Sequence, residues 1–233
     1  MMLLRCLKLS KRSPHQWVRV VAALLIIAAS PATASSVPPK GVLEFAAIRN
    51  GEEIGNCVLR FVRTENRLSV VTDIHIKVKI LFVTVFRFDL HVNEVWNGER
   101  LISMQASSDD DGTRKAVTVV ENADASSGNE LVVAVKGKEM HAPPTAIPTT
   151  LWNSRLIETP VAIDTVDGTV LHLIVHDLGF EVIQMGGQTA PARHFRFEAE
   201  GFVRELWYDQ NGVLSAVRQW GKDGSQVDYV LMR

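Results

Sequence analysis

The chain reads as an all-β protein, an antiparallel meander forming a strongly curved sheet or partly open barrel, with one short helix near residues 149–157. Three observations point there. Two-residue turn signals recur along its length: Asn-Gly at 50–51, 97–98 and 211–212, Asp-Gly at 111–112, 167–168 and 223–224, and Gly-Gly at 186–187. Tight hairpin turns need positive φ at both central residues, which Asn, Asp and Gly tolerate best. Between the turns, apolar and polar residues alternate with a period of two, so each strand has one dry and one wet face. The intervals are also too short for the repeated helical crossovers of a parallel sheet.

Residues 1–34 carry an address rather than a fold. Arg5, Lys8, Lys11, Arg12 and Arg19 precede any acid, an apolar run covers 20–29, and Ala32-Thr33-Ala34 ends the stretch. A basic start, a short apolar middle and an Ala-x-Ala site mark a cleaved secretory signal peptide. The run is ten residues long, and a bilayer-spanning helix needs about 20, so no permanent span is expected after cleavage. The expected domain is residues 35–233. Without the leader, 20 basic residues face 26 acidic ones, a net of −6. That balance excludes a nucleic-acid partner and counts against a surface built for anionic lipid. Only Cys57 remains, so no internal disulfide can form.

The first strands flank Asn50-Gly51. Residues 74–92 then run without Gly, Pro or Asn, and nine of the ten even positions are apolar. The odd positions are polar at both ends, from His75, Lys77 and Lys79 to Arg87, Asp89 and His91. In the middle they are Leu81, Val83 and Val85. The pattern predicts either one long bent strand or two strands joined at a bulge near 80–85. Phe82, Phe86 and Phe88 would then lie on the core face. Asp109-Asp110-Asp111-Gly112 is a solvated hairpin turn, because calcium loops place their acids at alternate positions. Residues 121–129 form a hairpin tip or small insertion.

Residues 141–164 differ. Pro143, Pro144 and Pro148 interrupt strand pairing. Thr149-Thr150 can cap a short helix that Pro160 ends. This Pro-rich segment divides the chain into possible halves, 41–140 and 160–233. Strands follow at 192–198, 202–208, 213–220 and 227–232. His172 and His176 alternate with apolar residues, which sets them about 13 Å apart on a strand, too far to share one metal ion.

No Gly-x-Ser-x-Gly elbow, His-Glu-x-x-His or Cys-x-x-Cys motif occurs, so no catalytic residue, cofactor or metal is assigned. Trp96, Trp207 and Trp220 suit cross-strand packing better than a sugar platform. The binding surface expected is the apolar interruption of a polar face: Leu81, Val83 and Val85, with Trp152 as a neighbour or internal cover.

Several segments resemble one family. They are Arg49-Asn50-Gly51-Glu52-Glu53-Ile54-Gly55, residues 80–86, Glu94-Val95-Trp96-Asn97-Gly98, Asp109-Asp110-Asp111-Gly112-Thr113, Pro148-Thr149-Thr150-Leu151-Trp152-Asn153 and Leu206-Trp207-Tyr208-Asp209. The set is similar to an uncharacterised domain-of-unknown-function family of secreted Gram-negative β proteins. The resemblance implies the fold, export and a periplasmic location, and no activity. The function expected is a non-catalytic periplasmic binding or envelope-associated module for an apolar small molecule or an envelope protein. The alternative is a periplasmic hydrolase with a site assembled from dispersed His, Asp and Glu. The leader predicts that the exported chain begins near Ser35. N-terminal sequencing of protein from its native envelope checks this, and retention of residues 1–34 would sink the cleaved-leader reading.

Overall fold

The structure is a computed structural model describing residues 36–123, 129–221 and 223–232. The predicted leader lies outside the described residues, as does the middle of the predicted tip at 121–129. Eight strands form a meander: β1 (Val42–Arg49), β2 (Glu52–Thr64), β3 (Arg67–Ile80), β4 (Val83–Asn97), β5 (Arg100–Asp110), β6 (Thr113–Asn122), β7 (Glu130–Val135) and β8 (Lys138–Ala142). A crossover follows with three short strands, β9 (Ile147–Pro148), β10 (Val161–Ile163) and β11 (Val170–His172). A second meander returns through β12 (Ile174–Met185), β13 (Gln188–Ala199), β14 (Phe202–Tyr208), β15 (Leu214–Trp220) and β16 (Gln226–Leu231).

The last strand pairs antiparallel with the first, Phe45 opposite Leu231 and Ala47 opposite Tyr229. Both meanders therefore belong to one 13-stranded antiparallel sheet with β12 and β8 at its edges, and the sheet does not close. The two sequence halves meet in the middle of the sheet. The crossover strands form a separate three-stranded sheet.

Inward residues follow the period of two. Leu43, Phe45 and Ala47 on β1 are buried, as are Leu68 and Val70 on β3 and Val92 and Trp96 on β4. Such a face must be covered by another layer, and the crossover covers it. Leu156, Ala162 and Ile163 are wholly buried. The Trp152 ring meets Trp96 edge-on at 5.5 Å and Phe61 at 5.4 Å. Gly168 (φ 78°) brings the Asp-Gly turn so close to β7 that a Cβ there would sit 2.5 Å from Val135 Cγ2. The short helical element is a 3-10 turn at Ser154–Ile157. Its cap is Asn153, whose side chain accepts from the Arg155 amide, because both expected threonines are engaged elsewhere.

Residues 74–92 correct the sequence reading. The chain folds back at Leu81-Phe82 in a two-residue turn, so it is neither one bent strand nor two strands joined only by a bulge. Phe82 is 98% exposed at the tip, not in the core. Phe86 and Phe88 are partly buried against the core as expected. The cause of the error is parity. A two-residue turn pairs Ile80 with Val83, an even with an odd position. The register then shifts at Val78, with Val85 as the added residue on β4, and Val78 faces Phe86. That bulge restores even-to-even pairing, so the alternation runs through the turn as though the strand were continuous.

A carboxylate ties crossover to sheet. Glu94 points inward from β4 and is buried. It accepts from Thr150 Oγ1 at 2.6 Å, Trp96 Nε1 at 2.7 Å and Trp152 Nε1 at 3.1 Å. Burial raises its pKa to about 7, against the pull of these three donors. Tyr208 adds a second tie, its hydroxyl donating to Leu151 O at 2.7 Å.

The raised pKa sets a pH dependence. The folded state holds the Glu94 proton more tightly than the unfolded chain, so this contribution is fully present below the ordinary value of 4.5. It is lost as pH rises through about 7. At about 1.4 kcal/mol per pK unit, the loss is roughly 3 kcal/mol. Glu94→Gln keeps an acceptor for the indoles and has no such dependence. Its stability relative to the parent should therefore rise by that order between about pH 4.5 and 8, measured by urea melts. A flat difference across that range would show that Glu94 does not titrate there.

Candidate functional site

The β3–β4 hairpin projects beyond its neighbours. Pairing of β2 with β3 ends at Gly55 opposite Ile76. On the other side the Asp111 amide donates to Arg87 O, and the β5–β6 turn stops there. The residues past these points form a finger two strands wide. Its tip is apolar: Ile80, Leu81, Phe82, Val83 and Val85 are all exposed, Leu81 at 87%.

The tip backbone is unusual. Leu81 has φ 46° and Phe82 φ 74°. Large side chains are disfavoured in the left-handed region, which Gly, Asn and Asp fill more easily. Other tight turns of the sheet use those types: Asn50-Gly51, Asp111-Gly112 and Gly186-Gly187. Here two bulky apolar residues occupy both strained positions, where exposure gives them no burial in return.

Beneath the tip, the outer face is cationic. Lys77 sits opposite Arg87, and Lys79 follows two residues on. Like charges placed directly opposite repel. Asp89 relieves part of this. It accepts from His75 Nδ1 at 2.7 Å and from Arg87 Nε, and these bonds, that of His75 first, hold its carboxyl below the usual range. Glu52 and Glu53 share a shallow depression with Lys77 and Lys79. Among the described residues, no carboxylate lies within 4.0 Å of either lysine nitrogen.

Of the four residues expected to bind, the structure groups three and separates one. Leu81, Val83 and Val85 all belong to the fingertip. They do not share one strand face, because Val83 lies across from Ile80. Trp152 is buried against Trp96, near the opposite end of β4. It therefore neither covers the fingertip nor joins it. Nothing else covers these residues among those described.

A second feature lies inside. Between the sheet and the crossover is a partly open cavity of about 120 Å³. Its walls are mainly apolar, with Phe45, Leu59, Phe88 and Phe202 among them. Arg204 stands on the inward face of β14 between Phe202 and Leu206, both buried. Desolvation lowers its pKa, opposed by Tyr229 and Asp164. Sequence reasoning missed Arg204, although an arginine at an inward position of an alternating strand was a readable signal.

The other ionisable groups build ladders on the outer face. His194 stacks on Trp207 at 4.1 Å and pairs with Glu181, which also accepts from Trp207 Nε1 at 2.6 Å. Glu205 takes Arg196 and Arg218. None of these groups lines the interior cavity. Among the described residues no three His, Cys, Asp or Glu are placed to hold a metal ion. Cys57 is buried, and burial, with Asp73, pushes its thiol up to about 12, the reverse of an activated nucleophile. Trp96 and Trp207 are buried too, and Trp220, the exposed one of the three tryptophans, carries the Arg196 guanidinium 5.6 Å above its ring.

The sequence from 45 to 232 matches the family described as a domain of unknown function, DUF6134. The chain belongs to that family. Among solved structures, it is similar to the β-barrel-like protein of domain of unknown function DUF1849 from Brucella abortus. The TM-score is 0.58 at 11% identity, over 82% of this chain and 94% of that one. Identity that low carries the fold alone. No curated protein matches the chain. Three of the segments named above meet in space: Glu94 and Trp96 meet Thr150 and Trp152, and Tyr208 meets Leu151. They are the residues that seat the crossover.

Strain at the fingertip has a measurable consequence. Leu81→Asn with Phe82→Gly puts in the residue types that the turn prefers and removes no packed side chain. The pair should raise unfolding free energy by roughly 1–3 kcal/mol, read by urea melts. A loss of stability would mean that the apolar tip is packed against something within the protein.

Proposed function

We propose that this protein is an exported, non-catalytic β module of the cell envelope that docks through its β3–β4 fingertip onto an anionic membrane surface. Export and a periplasmic location rest on the leader. The docking reading rests on one observation: two bulky apolar residues are held in strained conformations at the fully exposed end of a projecting hairpin. Strain kept at a solvent-facing tip, where it costs stability, is accounted for by an encounter at that tip.

The choice of partner follows from charge. Without the leader the chain carries a net charge of −6, which counts against anionic lipid. The finger reverses this locally, with Lys77, Lys79 and Arg87 on its outer face. Apolar side chains that enter the acyl boundary, with basic side chains at headgroup level behind them, form an interfacial anchor. Exposed clusters of this kind otherwise mark sites that meet a partner. No helix among the described residues is long and apolar enough to cross a membrane, so the proposed contact is peripheral.

Vesicle binding tests the reading. A Phe82→Trp variant should show a blue-shifted, intensified emission with mixed phosphatidylethanolamine and phosphatidylglycerol vesicles, measured as a difference from the parent. Val83→Asp should retain the parent's stability, within about 0.5 kcal/mol for an exposed site, yet lose vesicle binding. Lys77→Glu with Lys79→Glu should weaken it in a salt-sensitive way. An unchanged Phe82→Trp emission across these vesicles overturns the membrane reading. If the tip instead protects a specific envelope protein in crosslinking, the partner is protein.

A further inference from the structure

The interior cavity is independent of the fingertip and has its own chemistry. It is mainly apolar, yet one wall carries a cation. Arg204 shares the inward face of β14 with Phe202, Leu206 and Tyr208, all buried. A charge among such neighbours is normally paired. Here no carboxylate lies within 4.0 Å of the guanidinium among the described residues. Its recorded contacts are a hydrogen bond to Val203 O at 2.7 Å and the Phe202 ring, 4.7 Å beneath it. An arginine has five N–H donors in a planar fork that matches a carboxylate.

Asp164 also lines the cavity, but its Oδ1 is engaged. It accepts from the Val166 amide at 2.7 Å and the Asp167 amide at 3.1 Å, which fixes the crossover loop. A second polar group points to an occupant. Thr72 Oγ1 is buried on the cavity wall and has no hydrogen-bond partner. Buried hydroxyls without partners are rare in native proteins and call for an explanation. The cavity thus offers an unpaired cation, an unused hydroxyl and apolar walls in one enclosure.

We propose that this cavity binds a small monocarboxylate with an apolar body, its carboxylate on Arg204 and its hydrocarbon among Phe45, Leu59 and Phe88. The size fits a short acid. A cavity of about 120 Å³ is comparable with an engineered apolar cavity that admits benzene. The match of groups is that of a small-molecule site: mostly apolar walls with a few polar groups that fix orientation.

Calorimetric titration with hexanoate and its neutral counterpart hexanamide tests the proposal. The unmodified protein should bind hexanoate saturably, and at least about tenfold more tightly than hexanamide, since a charge-assisted pair is lost in the amide. Arg204→Leu should abolish that preference. It should still fold and melt close to the parent, because the shorter apolar side chain removes a largely desolvated charge that has no carboxylate partner within 4.0 Å among the described residues. No saturable binding, or equal affinity for acid and amide in the unmodified protein, overturns the proposal without recourse to any variant. Arg204→Leu that folds and keeps the preference overturns it too. A soluble ligand and no vesicle are used, so the result is separate from that for the fingertip.

Discussion

Three donors converge on the buried carboxylate of Glu94, and the placement of the crossover follows from that convergence. The chain begins in the middle of the sheet, runs out to one edge, and must reach the other edge before it can return. Residues 143–173 make that journey across the inner face. The inner face needs a cover, since sheet twist curls the strands around it. The crossover supplies the cover and is sheathed in return. Hydrophobic contact alone is non-directional. The donor set on Glu94 is directional, because Trp96 belongs to the sheet while Thr150 and Trp152 belong to the crossover. One seating of the crossover satisfies all three donors. Tyr208 repeats the device from the returning meander by holding Leu151, itself at φ 66°.

Against this frame, two further places break local rules, and neither has a partner among the described residues that answers it as Tyr208 answers Leu151. Leu81 and Phe82 are bulky, apolar, strained and exposed. Arg204 is charged and turned inward beside a cavity. A sequence that specifies one structure satisfies local preference almost everywhere, and departures gather where something other than stability is selected. The departures here lie on different strands and have different chemistry, one a projecting apolar tip with cations behind it, the other a recessed cation with apolar walls. They support separate roles on one scaffold. The outer ladders of His, Arg and carboxylates break no such rule, since even the buried Glu205 has Arg196 and Arg218 as partners.

How far the sequence could be read varies by element. Asn50-Gly51, Asp111-Gly112 and Gly186-Gly187 announced their hairpins, because the turn conformation excludes most other residues. The meander after residue 192 was legible for the same reason. Leu81-Phe82 was invisible as a turn, since neither residue favours one, and the bulge at Val85 preserved the even-position alternation on both sides. Phe82 was therefore assigned to a core face that ends before it. Leu81, Val83 and Val85 were grouped as an interruption of one polar face, whereas the fold places them around an exposed turn and its bulge. Their linkage to Trp152 had no basis beyond a need for cover, and Trp152 instead supplies an indole to Glu94. That Glu94 turns inward could be suspected from its even position between Val92 and Trp96, but its partners lie 56 and 58 residues away on the crossover.

The sequence by itself determined the class of fold, the hairpins whose turns carry Asn-Gly, Asp-Gly or Gly-Gly, and the face that most strands turn inward. These depend on backbone preference and on a period of two, both local quantities. Tertiary structure alone decided that β16 joins β1, that the sheet stays open, and that the crossover lies within its curl. It alone placed Arg204 and Thr72, on strands far apart in the sheet, in the lining of one cavity. Strand order, closure and burial of a charge depend on contacts between residues far apart in the chain, and no local pattern encodes which distant surface a strand edge or an inward side chain will meet.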